Sequence, residues 1–166
     1  MATLDPSASH NPIASDLQAA QKLADSIPHG HELGIEVEAI APGRAQFILP
    51  FHPRLIGNPD SGTLHGGVIT TLIDTASGCA VFSALPNLIP IATLDLRIDY
   101  LKPATPQKPL RADARCYKLT RYVGFTRAFA YHDDPQDPIA NSVGTFMVGS
   151  SNAVFGVDDL TVERSS

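Results

Sequence analysis

The chain has 166 residues, of which 43% are hydrophobic and 17% are charged, and its formal net charge at pH 7 is −5. This length fits one domain with a hydrophobic core of its own. The composition excludes a disordered chain, and the acidic balance argues against a nucleic-acid partner, because phosphate neutralisation needs a surplus of lysine and arginine. The sequence predicts a globular protein in which any anionic ligand is held by a few local cations.

The cysteines and the apolar segments predict the compartment. Cys79 and Cys116 are too few and too far apart for a metal site, so we expect reduced thiols, with neither a metal nor a cofactor. The first residues lack the basic start and apolar run of a signal peptide. The longest apolar stretch, 68–85, is interrupted by Asp74 and by small residues, which makes it a poor membrane span. We therefore predict a cytoplasmic protein with no membrane partner.

The first half of the chain predicts a short helix and a hairpin. Residues 1–14 have no clear pattern and are predicted to form a tail. Apolar residues at helical spacing then predict a helix over 16–27. Alternating apolar and polar residues predict two strands, over 34–40 and 45–51, which a Pro-Gly turn joins. A loop rich in glycine, proline and aspartate follows, over 52–62.

The second half predicts one long helix and four strands. The helix is strongly apolar and runs over 67–84, and the strand-like segments cover 92–101, 110–120, 123–132 and 139–148. Consecutive strands with short connections favour antiparallel pairing. A helix this apolar must be covered on most sides. The predicted fold class is therefore α+β, with an antiparallel sheet wrapped around one long central helix.

Two finer predictions concern local structure. In the strand 92–101, alternation places Leu94, Leu96, Ile98 and Tyr100 on one face and Thr93 on the other. The run 29–32, His-Gly-His-Glu, has no further ligands spaced to complete a metal site, and it is predicted as a loop that leads into the first strand. The expected organisation is an N-terminal tail and short helix over 1–28, one domain over 29–149, and a C-terminal tail over 150–166.

One carboxylate is conspicuous in the long helix. Asp74 is the one formally charged residue between Asp60 and Asp95. It lies nearly opposite the apolar arc of the helix, where its neighbours are Thr70, Ser77, Gly78 and Val81. A solvated helix face would carry several long charged residues, and this one carries none. Asp74 therefore either faces water, as acids on amphipathic helices ordinarily do, or faces a cleft that admits a ligand.

The helix is preceded by His65-Gly66-Gly67. Glycines at a helix start leave free backbone N–H groups that can hold an anion or a developing oxyanion, and the helix dipole reinforces them. Gly66 and Asp74 are eight residues apart, about 12 Å along a helix. One carbonyl cannot reach both groups in the same chain. If both act on one carbonyl, they come from different subunits of a symmetric dimer.

The segments LHGGVITTLIDTASGCA and ATLDLRIDYLKPA, together with the order of elements, resemble the PaaI-like branch of the hotdog-fold acyl-CoA thioesterases. The resemblance covers about residues 30–149. It implies a hotdog fold, assembly into homodimers and often homotetramers, and hydrolysis of an acyl-CoA substrate to free acid and CoA.

By position, the resemblance also implies roles for individual residues. Asp74 matches the nucleophile or general base, and Gly66 matches the backbone donor that polarises the thioester carbonyl from the partner subunit. His65 matches the motif histidine that fixes the loop. Further substrate-site matches are Asn58 in the loop, Gly67 in the motif and Thr93, which corresponds to a hydroxyl that orients water. The candidate cations for the CoA phosphates are Arg97, Lys102, Arg121 and Arg127.

Three alternatives remain open from the sequence. Another hotdog enzyme, an acyl-CoA hydratase or dehydratase, pairs a histidine with a carboxylate, and His52 and His65 both precede Asp74. A non-catalytic acyl-CoA-binding domain would bind the ligand without turnover. A purely structural domain would show no response to acyl-CoA.

Overall fold

The computed structural model of the protein describes residues 11–149. In this part of the chain the helices are α1 (Leu17–Asp25), α2 (Pro28–Leu33) and α3 (Gly66–Ala84). The strands are β1 (Glu36–Ala41), β2 (Arg44–Leu49), β3 (Ile56–Asn58), β4 (Thr63–Leu64), β5 (Ile91–Tyr100), β6 (Leu110–Leu119), β7 (Val123–Tyr131) and β8 (Ala140–Val148).

Six strands form one antiparallel sheet in the order β1-β2-β6-β7-β8-β5, and β3 and β4 form a separate small hairpin. The long helix α3 packs against β2, β5, β6, β7 and β8. This arrangement confirms the predicted α+β class, with an antiparallel sheet around one long helix. The segment 52–62 was predicted as a loop, and the structure shows that it also contains the short strand β3.

The central helix is covered more completely than the sequence predicts. The apolar arc is buried as expected, but Ser77 and Val81, which were assigned to the Asp74 side, are also 0% exposed. For Val81, the close approach of Gly124 on β7 accounts for the burial, because a Cβ there would lie 2.8 Å from the Val81 Cγ1 atom. The helix is long and apolar enough to cross a membrane, but 61% of its apolar window is buried inside the protein. Such burial is typical of a core helix.

The prediction of a tail over 1–14 is wrong for residues 11–14. Residues 12–14 form a 3₁₀ turn in which Ile13 is completely buried. The buried Asn11 amide donates from Nδ2 to the Phe82 and Leu85 carbonyl oxygens, at 2.7 and 2.8 Å. The side chain thus satisfies carbonyls at the C-terminus of α3. Residues 1–10 and the predicted C-terminal tail, 150–166, lie outside the described residues.

The run 29–32 is also helical rather than a loop. It lies within α2, which begins at Pro28 as its first residue and ends before Gly34 in the left-handed conformation, with φ of 78°. Proline is favourable at the first helical position because no N–H is needed there, and glycine is favourable just after the last position because it adopts a positive φ at little cost. The predicted helix over 16–27 correspondingly ends at Asp25.

A β-bulge changes the face assignment in β5. Its register with β8 shifts between Thr93 and Asp95. Leu94, predicted to share a face with Leu96, is instead 55% exposed, and Thr93 faces the helix. The extra residue of a bulge reverses the side-chain alternation before it and leaves the alternation after it unchanged. Leu96 and Ile98 accordingly pack on the core, as predicted.

Candidate active site

Asp74 lies midway along α3 and is half-buried. The Thr93 hydroxyl on β5 donates to Asp74 Oδ1 at 3.0 Å, so one of the two carboxylate oxygens is held by a hydrogen bond. Burial raises the pKa of Asp74 above its ordinary value, and the hydrogen bond from Thr93 partly offsets this by lowering the pKa. The bulge in β5 creates this contact, since it turns Thr93 toward the helix.

Asp74 lines a cavity of about 720 Å³ between α1, α2, α3 and β5. The polar side chains of its wall are those of His29, Thr70, Thr71, Asp74, Thr75 and Thr93. The rest of the wall is apolar and is formed by Leu23, Ala24, Ile27, Gly30, Phe47, Gly78, Cys79, Phe82, Ile91, Ala92, Leu96 and Phe146. Phe82 is eight residues beyond Asp74, so the apolar wall extends about 12 Å along α3 from the carboxylate. The cavity therefore suits a ligand with a polar centre and an apolar chain.

The His65-Gly66-Gly67 motif caps the start of α3. His65 is the N-cap, and its Nδ1 atom accepts a hydrogen bond from the Gly67 N–H at 3.0 Å. As the first helical residue, Gly66 has an N–H without a helical acceptor. The imidazole of His65 therefore acts as a cap in this chain. A second cavity, of about 360 Å³, lies beside Gly66 and includes Tyr100 and Lys102 in its wall.

The structure does not bring every predicted site residue together. Asp74 and Gly66 are on the same helix, two turns apart, so they do not converge within one chain. Asn58 is exposed, and its Oδ1 atom accepts from the Asp60 and Ser61 N–H groups at 3.0 and 3.4 Å. Its side chain thus shapes the turn between β3 and β4, and it lines neither of the two cavities.

The candidate cations have local partners. Arg97 donates to Asp99 at 3.0 Å, and Lys102 forms an ion pair with Asp137. The guanidinium groups of Arg121 and Arg127 lie over the rings of Tyr122 and Tyr117, respectively, at 5.2 and 4.9 Å from the ring centres. Lys102 is the one of these four that shares a cavity with Gly66.

Two residues that line these cavities were not predicted from the sequence as candidate site residues. His29 lines the main cavity, and its Nε2 atom is 3.3 Å from the Thr71 hydroxyl on α3. Tyr100 places its hydroxyl 2.9 Å from the Gly66 carbonyl oxygen. The spacing from Leu96 and Ile98 placed Tyr100 on the correct face of β5, but its contact at the helix start depends on the tertiary structure.

The cysteine in the cavity is not a competing nucleophile. Burial raises the pKa of Cys79 to about 12, so its thiol stays protonated at neutral pH. Within residues 11–149, no group of three or more histidine, cysteine, aspartate or glutamate side chains is placed to hold a metal ion.

Comparison with known proteins identifies the class. The thioesterase superfamily profile matches residues 61–139. A Salmonella typhimurium protein named medium/long-chain acyl-CoA thioesterase YigI is 31% identical over 136 residues, 74% of this chain and 86% of the relative. A Halobacterium salinarum protein with a provisional esterase name is 42% identical over 95 residues, 55% of this chain; the match spans 62% of that relative, less than two thirds of its length.

Solved structures agree. A Pseudomonas aeruginosa protein superimposes with a TM-score of 0.72 at 46% identity, covering 79% of this chain and 97% of that one. A variant of the phenylacetic acid degradation protein PaaI from Thermus thermophilus gives 0.64 at 26% identity, covering 72% and 97%. The chain belongs to the thioesterase superfamily. This membership confirms the prediction of a PaaI-like acyl-CoA thioesterase with a hotdog fold.

Proposed function

We propose that this thioesterase hydrolyses an acyl-CoA with a medium or long acyl chain, using Asp74 of one subunit and the Gly66 N–H of another. The main support is the half-buried carboxylate at the polar end of an otherwise apolar cavity. The raised pKa of Asp74 fits a group that reacts as a base or nucleophile, because a desolvated carboxylate has less hydration to lose.

The reaction adds water across the carbon–sulfur bond. Either the free oxygen of Asp74 attacks the thioester carbon directly, or it takes a proton from a water that attacks there. In both routes the carbonyl oxygen gains negative charge, which the Gly66 N–H stabilises. The carbon–sulfur bond then breaks and the CoA thiolate leaves. On the water route, the free acid forms at this step, and the thiolate takes up the proton that Asp74 removed from the water. On the nucleophilic route, this step leaves an acyl–Asp74 anhydride, which water then hydrolyses to the free acid and the Asp74 carboxylate, and the proton released from the water goes to the thiolate.

The acyl chain would lie along α3, from Asp74 past Gly78 to Phe82. The absence of a side chain at Gly78 leaves a gap about the width of a methyl group beside Phe146 and Ile91, since a Cβ there would be in ordinary contact with both, at 3.6 and 3.7 Å. The named activity of the Salmonella relative, on medium and long acyl chains, agrees with an apolar wall of about 12 Å.

A dimer would complete the site. Asp74 and Gly66 lie too far apart on one helix to act on one carbonyl, and two such helices packed antiparallel would bring each Asp74 toward the other chain's Gly66. The edge strand β5 is ten residues long and pairs with β8 on one side, which leaves its other edge available for a second copy. The homotetramer remains a prediction that this chemistry does not require.

The CoA portion would lie beside the Gly66 that supplies the amide. Lys102 lines the cavity next to Gly66, and an incoming phosphate would replace the carboxylate of Asp137 as its partner. We therefore favour Lys102 over the other three candidate cations. Asn58 stays a proposed contact of the partner's substrate, because its own chain uses it in a turn.

The hydratase alternative has one supporting observation. His29 lines the same cavity as Asp74, so a histidine and a carboxylate share one site. A hydratase would consume an enoyl-CoA without releasing thiol, whereas a thioesterase would release thiol from saturated and unsaturated acyl-CoAs alike. Following free thiol and enoyl absorbance in parallel separates the two reactions.

The deciding experiment is a thiol-release screen over short, medium, long and aromatic acyl-CoAs with the wild type, Asp74→Asn and Asp74→Ala. We expect the highest turnover on medium or long chains, and a loss of kcat by at least about 10³-fold in both variants, since removal of a nucleophile or base costs that much. Asp133→Asn is the control, because Asp133 is exposed and pairs with Lys108 away from the cavity. Folded Asp74 variants that keep wild-type turnover would refute the assignment.

A further inference from the structure

The peptide group between Gly66 and Gly67 is held at both of its ends. Its carbonyl oxygen lies 2.9 Å from the Tyr100 hydroxyl oxygen and 3.1 Å from the Thr70 hydroxyl oxygen. Its N–H, which belongs to Gly67, donates to His65 Nδ1 at 3.0 Å. A side chain from a distant strand and one from the next turn of α3 thus fix a peptide that glycine alone would leave mobile.

The preceding peptide group, between His65 and Gly66, is fixed as well. Its carbonyl oxygen accepts a hydrogen bond from the Val68 N–H at 3.0 Å. In a trans peptide the N–H points opposite the carbonyl, so the direction of the Gly66 N–H is set. Among the hydrogen bonds of residues 11–149, none uses this N–H as a donor. The His65 carbonyl, the Gly66 carbonyl and the Gly67 N–H therefore all form hydrogen bonds. The Gly66 N–H donates to none of the described residues, and its direction is fixed.

This arrangement matters because two consecutive glycines have the greatest backbone freedom of any residue pair. A donor that stabilises an oxyanion accelerates the reaction only if its direction is fixed before charge develops. Tyr100 lies directly beside the helix start, because a Cβ on Gly66 would be in ordinary contact with the Tyr100 hydroxyl oxygen, at 3.4 Å.

We propose that Tyr100 and Thr70 are positioning residues that hold the Gly66 N–H in the direction needed to polarise the thioester carbonyl. This inference rests on the proposed function of Gly66 as the carbonyl donor. The two hydroxyl oxygens are 2.8 Å apart, so two hydroxyl hydrogens serve three short contacts. Either hydroxyl can donate to the Gly66 carbonyl oxygen while the second hydroxyl donates to the oxygen of the first. If one of the two hydroxyls is removed, the other can still donate to the carbonyl.

The kinetic test uses Tyr100→Phe, Thr70→Val and the double variant. We expect kcat to fall about tenfold in Tyr100→Phe with KM unchanged, and the double variant to approach the roughly 10²–10³-fold loss of a missing oxyanion donor. Thr70→Ser keeps the hydroxyl and should restore the activity that Thr70→Val loses. Tyr122→Phe is the matched control, because Tyr122 is 62% exposed on the β6–β7 turn and should retain wild-type kcat.

A binding measurement separates positioning from a general structural effect. Two unreactive probes isolate the contact to the carbonyl: an acyl-CoA analogue with CH₂ in place of the sulfur keeps the C=O, and an S-alkyl-CoA keeps the sulfur but lacks the C=O. We expect the double variant to bind the ketone probe at least about tenfold more weakly and the S-alkyl probe as well as the wild type does. Equal weakening of both probes, or of neither, would overturn the inference.

The outcomes also distinguish this inference from the proposed function. If the wild type releases thiol, Asp74→Asn is inactive and the double Tyr100/Thr70 variant retains wild-type kcat, the positioning role fails and the thioesterase proposal stands. If Asp74→Asn is fully active, the proposed function is refuted, and the positioning role that rests on it is refuted with it. A Tyr100→Phe protein that does not fold leaves Thr70→Val and the ketone probe to decide.

Discussion

The charge state of Asp74 is controlled by two opposing contacts. Burial in the cavity raises the pKa of its carboxyl group, and the hydrogen bond from Thr93 lowers it again. Since the proposed reaction needs the carboxylate, activity should decline as the pH falls through this raised pKa. The hydroxyl of Thr93 therefore keeps Asp74 ionised over a wider pH range than burial alone would allow.

This balance predicts a specific pH effect. Thr93→Val removes the hydrogen bond that lowers the pKa of Asp74, so the pKa rises further and the acid limb of kcat/KM moves to higher pH. Thr93→Ser should retain the wild-type profile. Thr145→Val, on the outer face of β8, is the control. An acid limb that stays in place, or moves to lower pH, in Thr93→Val would contradict the assignment of Asp74 as the titrating group.

At the residue scale, the sequence was informative where chemistry and spacing coincide. Asp74 could be proposed as a site residue because it is a lone carboxylate in an apolar helix, and Gly66 because it belongs to a glycine pair at the start of that helix. The resemblance implied a water-orienting hydroxyl at Thr93, and the structure adds a direct hydrogen bond from this hydroxyl to Asp74. That contact requires the bulge in β5, which simple alternation does not reveal. His29 and Tyr100 were missed because their relevant contacts are tertiary.

At the element scale, the strongly patterned segments were predictable and the ends of elements were less so. The bounds of α3 differ from the prediction by one residue, because an apolar run between a glycine pair and a proline has few other solutions. The segment before α1 was predicted as part of a tail. Its order comes from Asn11, whose partners are 71 and 74 residues away, and no local pattern encodes such a contact.

The cap at the end of α3 predicts a stability effect. Asn11→Ala removes the side-chain donor of the buried Leu85 carbonyl and one of the two donors of the buried Phe82 carbonyl, which keeps the Leu85 N–H, and this loss should lower the free energy of unfolding by about 1–3 kcal/mol. For a protein of this size, each kcal/mol corresponds to a fall in Tm of about 2–4 °C. Thermal and denaturant unfolding measure the change. Asn141→Ala, at an exposed position on β8, is the control, and equal stability of both variants would contradict the capping role.

At the scale of the whole molecule, the chain separates the two groups that the proposed function brings to one thioester. The carboxylate and its apolar cavity lie at the middle of α3, whereas the fixed amide lies at the start of the same helix, about 12 Å away. The sequence predicted this separation from residue spacing alone. The contact between two copies in the proposed dimer could not be predicted in this way, because it depends on surfaces that form only when the chain folds.

A complementation experiment tests the two-chain site directly. One parent is Asp74→Asn, and the other is Gly66→Pro, which removes the proposed donor. Proline suits this position, because Gly66 is the first residue of α3 and His65 already has an extended backbone, with φ of −65° and ψ of 133°. Gly66→Ala retains the N–H and serves as the control. We expect each parent homodimer to have lost most of its activity.

Heterodimers of the two parents, purified through two different tags, should regain about half of the wild-type specific activity. One of their two sites would combine both substitutions, and the other would combine the intact Asp74 of one chain with the intact Gly66 of its partner. If both groups acted within one chain, every site in the heterodimer would carry a defect. Inactive heterodimers would then refute the shared site, because complementation requires the carboxylate and the amide to come from different subunits.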